Sequence, residues 1–172
     1  MISQRRLTIS NLEKKSVKKV IELLRRLRHS EEVIELTDTA RSAEDAAKAL
    51  NVPVGAIVKT LVFIIDANTE QIPIVALVAG DNRCNTSELA KSLGISGIVV
   101  RPDADKVKIL TGYSIGGVSP VGLPEALHLI IDTSLKRFKT IWSAAGHPHC
   151  VFAATYEQLV DITKATESAD IT

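Results

Sequence analysis

Two features of this chain of 172 residues have the residue types for chemistry. One is a glycine-rich run, Gly112-Tyr-Ser-Ile-Gly-Gly-Val-Ser-Pro-Val-Gly122. The other is Lys59, a charge inside an apolar stretch. Four of the nine glycines fall in the run, at Gly112, Gly116, Gly117 and Gly122. Glycine allows φ > 0 and lets another molecule come close to the main chain. A loop of this kind, stiffened by Pro120, can present the N–H groups of Gly116, Gly117, Val118 and Ser119 to an anion or a polarised carbonyl. It can equally be a long surface connection, and the run by itself does not separate the two readings.

Lys59 sharpens the question. Ala56 to Asp66 reads AIVKTLVFIID, and in a strand alternate residues share a face. Lys59 therefore sides with Ile57, Leu61, Phe63 and Ile65, while Val58, Thr60, Val62 and Ile64 take the other face. Apolar residues on both faces predict a central strand. An ammonium there must reach water or an anionic partner. Either it snorkels to solvent from the strand start, or it stands at a pocket mouth to meet a phosphate or a developing oxyanion. His147 and His149, one residue apart with no acid or cysteine cluster nearby, do not make a metal motif. There is no Ser-His-Asp order, HExxH motif or Walker loop. Cys84 and Cys150 form no CxxC pair, which predicts reduced thiols.

The elements that would position these residues follow from periodicity. Val17, Val20, Ile21, Leu24 and Leu27 form one apolar stripe and predict an amphipathic helix over 12–29. A strand is expected at 33–36, then a helix over 43–50 capped by Ser42. The runs 56–66 and 72–79 predict an antiparallel hairpin in the middle of a sheet. Asn85 with Glu88 predicts a capped helix start, and Gly94 its end. A strand over 97–101 leads to a helix with Pro102 in its first turn, and the glycine run follows. Strands are expected at 126–131, 140–144 and 150–154, with a turn at 146–149. Thr155 with Gln158 caps a last helix to about 164, and the polar tail 165–172 is expected to fray. Strands and helices mix without strict alternation, which predicts a single α+β domain with a mixed, mostly antiparallel sheet.

Composition bounds the rest. Hydrophobic content of 45% and charged content of 24% suit a globular protein with one sizeable core. No apolar run is long enough to span a bilayer and the start carries no signal-peptide pattern, so the expected location is cytoplasmic, with no membrane partner. The net charge is only +1, yet residues 1–28 carry nine lysines and arginines against Glu13 and Glu22. That end is either a solvated helix face or a contact for nucleic acid.

Taken together, Gly55-Ala-Ile-Val-Lys-Thr-Leu-Val-Phe63, Leu77-Val-Ala-Gly-Asp81 and the Gly112–Gly122 run resemble the YbaK/prolyl-tRNA synthetase-associated domain family, over roughly residues 32–165. The resemblance implies an α+β domain with a barrel-like sheet flanked by helices. It implies an aminoacyl-tRNA deacylase, free-standing or inserted in prolyl-tRNA synthetase, that hydrolyses the ester of tRNA mischarged with a small amino acid, with tRNA-Pro as the candidate tRNA. On this basis Lys59 is the expected catalytic residue. Gly112, Gly116, Gly117, Val118, Ser119, Pro120, Gly122, Gly146 and His147 are the expected substrate contacts. The partner is the acceptor end of mischarged tRNA, with prolyl-tRNA synthetase as a second candidate, and no cofactor or metal is expected. His147-Pro148-His149 departs from the arginine-glycine type of sequence common in bacterial Cys-tRNA deacylases. Residues 1–30 form a basic helical extension to a deacylase domain over 31–172. A module that binds the aminoacyl group without turnover, and Schiff-base chemistry at Lys59, are the rival readings.

Overall fold

In a computed structural model, which describes residues 10–38 and 40–172, five α-helices and eight strands build two sheets. Arg5 and Arg6, counted in the basic N-terminal segment, lie outside the described residues. Strands β1 (Val33–Glu35), β7 (Cys150–Ala154) and β6 (Ile141–His147) form an antiparallel three-stranded sheet in the order β1-β7-β6. The other sheet runs β4 (Ile98–Val100), β2 (Val58–Asp66), β3 (Gln71–Ala79), β5 (His128–Asp132), β8 (Thr166–Ser168). Its β4–β2 and β2–β3 pairs are antiparallel, and its β3–β5 and β5–β8 pairs parallel. Among the described residues one backbone bridge, Ile57 to Trp142, links the two sheets. The mixed, mostly antiparallel α+β architecture is as expected, but neither sheet closes on itself, so no barrel forms.

The hairpin β2–β3 is the centre of the larger sheet, in the register Lys59↔Val78 and Phe63↔Ile74. Its two faces serve two cores. Val58, Val62, Val75 and Leu77 face the smaller sheet, where Ile141, Cys150 and Phe152 meet them. Phe63, Ile65, Ile74 and Val78 pack on the opposite side against Leu89 and Ala90 of α3 (Thr86–Ser92). A third cluster joins α2 (Ala43–Leu50) to Ile57 and Val151.

The first helix is shorter than its pattern. A 3-10 turn, Asn11–Glu13, ends at Lys14, whose extended backbone separates it from α1, Lys15–Arg26. Val17, Val20 and Leu24 of α1 are buried in the inter-sheet core. Capping follows the sequence at Ser42, whose Oγ accepts from Asp45 N–H at 3.0 Å, and at Thr155, which makes a reciprocal box with Gln158 at the start of α5 (Tyr156–Thr163).

Four local expectations change. Asn85 does not cap α3 through its side chain; it accepts from Ser87 Oγ instead. Pro102 precedes the N-cap Asp103 of α4 (Ala104–Thr111) rather than lying in its first turn. The expected turn at 146–149 tightens because β6 continues to His147 through an irregularity after Ala144. The tail is not frayed: β8 pairs with β5, and Ile171 is fully buried in the α3 core. One apolar side chain in a polar tail is enough to dock it when a hydrophobic slot is ready. Among the described residues no helix is long and apolar enough to cross a membrane.

Candidate active site

Where β2 leaves the bridge between the sheets, a cavity of about 420 Å³ opens. Its wall includes Lys59, Thr60 and Val62 of β2, the start of α2, Arg101, Ile115, Gly116, Val118, Trp142 and His147. The sequence-predicted catalytic lysine thus shares one cavity with part of the glycine run and with His147.

Lys59 is held in place from behind. Its ammonium donates to the carbonyl oxygen of Asn82, in the turn that follows β3. Asn82 Nδ2 in turn donates to Ser134 Oγ at 2.8 Å and to Asp132 Oδ2 at 3.2 Å. Asp132 is almost wholly buried. It also accepts from Ser134 N–H at 2.8 Å, from Ser134 Oγ at 2.6 Å and from Ala79 N–H at 3.3 Å. The preceding residue of the turn, Asp81, is forked by Arg137 at 2.8 and 3.1 Å. The hydrogen bonds from Arg137 are the main cause that holds the Asp81 carboxyl below its ordinary range. An ammonium has three donors, and among the described residues one of them is used, by Asn82.

The predicted substrate residues divide by place. Gly116 and Val118 line the cavity with Lys59. Gly117 lies so close to β6 that a Cβ there would stand 2.8 Å from both Cα and N of His147. Only glycine fits such a main-chain approach. The N–H of Gly117 donates to Ser114 O at 3.0 Å, whereas the N–H groups of Gly116 and Val118 have no acceptor among the described residues. Ser119 is fully buried, with its Oγ accepting from Val121 N–H. Gly146 packs on the backbone of Ser16 in α1, and Ser16 Oγ donates to its carbonyl at 2.8 Å. Gly112 caps the end of α4. Pro120 and Gly122 line a separate concavity with Leu127 and Ile162.

Sequence reasoning missed Arg41, Thr60 and Arg101 as cavity residues. The Arg101 guanidinium sits 5.2 Å over the Phe63 ring, which keeps a cation beside β2. Thr60 Oγ1 is buried with no hydrogen-bond partner among the described residues. The only sequence signal for Thr60 was its polarity in an apolar strand; the two arginines carried none.

His147 also lines this cavity. Its Nδ1 accepts from His149 N–H at 3.2 Å, and the two rings stand 5.5 Å apart. Burial first, then the Lys14 charge, lowers its pKa below the ordinary 6.5, so the ring is neutral at pH 7. As pH falls below 6.5 the unfolded chain takes up this proton first, and the stability that the neutral ring contributes declines. Thermal melts from about pH 7.5 to about pH 5 should therefore show wild type losing its margin over His147→Asn. A constant margin would contradict this.

Neither thiol is a nucleophile near neutral pH. Burial pushes both Cys84 and Cys150 up to about 11, and the thiolate is the reactive form. Iodoacetamide treatment of the folded protein at pH 7 is expected to leave turnover unchanged, as is Cys150→Ala within a few-fold; rapid inactivation by the reagent would contradict it.

A lysine held on the wall of a cavity that a close-packed glycine loop also lines suits a polar, anionic or carbonyl-bearing ligand. The model of the aminoacyl-tRNA editing domain family matches residues 37–162, and the chain belongs to that family. Its function is accordingly that of an aminoacyl-tRNA deacylase, a hydrolase acting on mischarged tRNA. The chain is similar to the protein YwhH of Bacillus subtilis, at 29% identity over 132 residues, which cover 77% of this chain and 81% of that protein. It is 34% identical over 100 residues to a proline–tRNA ligase of Nitratidesulfovibrio vulgaris, covering 58% of this chain but only 17% of the ligase. A solved structure of a candidate trans-editing enzyme for prolyl tRNA synthetase matches with a TM-score of 0.79 and 32% identity, over 90% of this chain and 96% of that one.

Proposed function

We propose that this domain hydrolyses the ester joining a small amino acid to the terminal ribose of mischarged tRNA, with tRNA-Pro as the tRNA. The observation that carries the reading is Lys59, a cation held by Asn82 on the wall of a cavity shared with Gly116 and Val118. Ester hydrolysis builds negative charge on the carbonyl oxygen. Preorganised donors aimed at that charge lower the barrier. Lys59 brings its ammonium, and the N–H groups of Gly116 and Val118 add two more donors. The volume of about 420 Å³ suits an aminoacyl group with its ribose.

The nucleophile is water, or the substrate's own thiol where the amino acid is cysteine. With both protein thiols protonated, positioning and electrostatics carry most of the rate. Such a second site has a physical purpose, because a synthetase pocket rejects an amino acid one methylene smaller by only ~1–3 kcal/mol. The choice of tRNA-Pro, with prolyl-tRNA synthetase as partner, is supported by the similarity to part of a proline–tRNA ligase and to the trans-editing enzyme.

The test is a deacylation panel of tRNA-Pro charged with Ala, Cys, Ser, Thr and Pro. The expected result is release of one or more of the small non-cognate amino acids and retention of Pro. Binding of the charged tRNAs with no release of any would replace the enzyme with a binding module.

A further inference from the structure

The charge of this protein is divided in a way the cavity does not explain. After residue 30 the chain carries twelve lysines and arginines against eighteen acids; before it, nine against two. An acidic body repels a polyanion, so a tRNA substrate needs an attractive surface elsewhere. Helix α1 supplies one. Its apolar side is wholly used by the core, at Val17, Val20 and Leu24. Its outer side carries Lys15, Lys18, Lys19, Glu22, Arg25 and Arg26, all exposed. These positions recur at three- and four-residue steps and so lie on one face. Twelve residues extend about 18 Å, long enough to follow several phosphates of a duplex.

The stripe starts at the cavity. Ser16 Oγ holds the Gly146 carbonyl at 2.8 Å, and Gly146 precedes His147 of the cavity wall. The Lys14 charge reaches both His147 and Cys150. Glu35, whose charge also reaches His147 and Cys150, is held by Ser10 and by Asn11. Ion pairs along α1, Lys18–Glu13 and Arg25 and Arg26 with Glu22, are exposed and weak enough to yield to a phosphate. Lys19 is committed elsewhere, donating to Gly122 O at 2.7 Å and lying over the Tyr113 ring.

We propose that the outer face of α1 is the docking surface for the acceptor duplex of the tRNA, with its first turn beside the aminoacyl end and Arg25 and Arg26 farther along the stem. This rests on the cavity holding the aminoacyl end. A-form duplexes are recognised mainly through phosphates and 2′-hydroxyls, which a lysine and arginine stripe can contact without reading sequence.

The test compares wild type with the variant Lys15→Gln/Lys18→Gln/Arg25→Gln/Arg26→Gln; a control, Lys91→Gln, lies on α3 across the larger sheet. The first probe is an uncharged acceptor-stem minihelix. Loss of four phosphate contacts should make the slope of log K against log salt shallower by about 3, with Lys91→Gln unchanged. The second readout is deacylation of the mischarged minihelix against the same amino acid on a bare CCA trinucleotide. The variant should raise KM for the minihelix about tenfold or more, with kcat and the trinucleotide KM unchanged. An unaltered salt slope, or an equal rise in KM for the trinucleotide, overturns the proposal. If wild type bound the minihelix with the steep slope yet hydrolysed neither substrate, the hydrolytic reading would fall and the docking surface would stand.

Discussion

Lys59→Ala is expected to lower kcat for deacylation by about 100- to 1,000-fold, the cost typical of removing one donor from a developing oxyanion. Lys59 is half-buried, and its one hydrogen-bond partner among the described residues is a main-chain carbonyl in a turn. That carbonyl can turn to water when the ammonium is gone, so the melting temperature should change by no more than a few degrees. The split between constants is informative. If the ammonium acts on the carbonyl as charge develops, kcat falls and KM holds. If it only grips a ground-state phosphate, KM rises and kcat holds. Lys59→Arg keeps the charge but replaces a compact ammonium with a planar fork, so it should recover only part of the rate. Wild-type kcat in Lys59→Ala, measured on the best substrate of the panel, would remove Lys59 from the chemistry.

Asp132→Ala should be the most destabilising single change at the site. The carboxylate is almost wholly buried and collects hydrogen bonds from Ala79 N–H, Asn82 Nδ2, Ser134 N–H and Ser134 Oγ. Truncation leaves several of these donors unsatisfied in the interior, at about 1–3 kcal/mol each. A loss of about 3 kcal/mol or more follows, which for a chain of this size is a fall in Tm of roughly 6–12 °C. The same change frees Asn82, whose carbonyl holds Lys59. Below the melting transition, activity should therefore drop as well, through a misplaced ammonium rather than a missing one. Thermal melts and kcat at a temperature where the variant stays folded measure the two effects separately. Asp132→Asn keeps the shape and should recover part of the stability. A variant as stable and as active as wild type would show that the network does not position the lysine.

Much of the architecture could be read from periodicity. The hairpin β2–β3, the capped starts of α2 and α5 and the buried stripe of α1 depend on local patterns, and local patterns survive folding. Apart from the local details at Asn85 and Pro102, the errors fell where tertiary contacts decide. The tail 165–172 is polar, and only the slot beside α3 turns Ile171 into an anchor. The turn after β6 tightened because Gly146 sits against α1 and lets the strand run on.

The site divides in the same way. Lys59 was conspicuous because a charge on a two-sided apolar strand demands a reason, and the glycine run because its composition is unusual. Nothing in Arg41, Arg101, Asn82 or Asp132 is unusual in sequence; each gains its part only through what the fold brings beside it. Nor could composition sort the members of the run. Gly116 and Val118 face the cavity, Gly117 is consumed by its approach to His147, and Pro120 and Gly122 turn to another concavity.

The sequence by itself determined the fold class and the editing family and singled out Lys59 as a candidate, because these rest on residue type, spacing and alternation. Only the tertiary structure decided which residues surround that lysine, what holds it still and where the charge of α1 lies relative to the cavity. Those depend on contacts between segments far apart in the chain, and hydrophobic burial, which is non-directional, leaves no local mark of its partners.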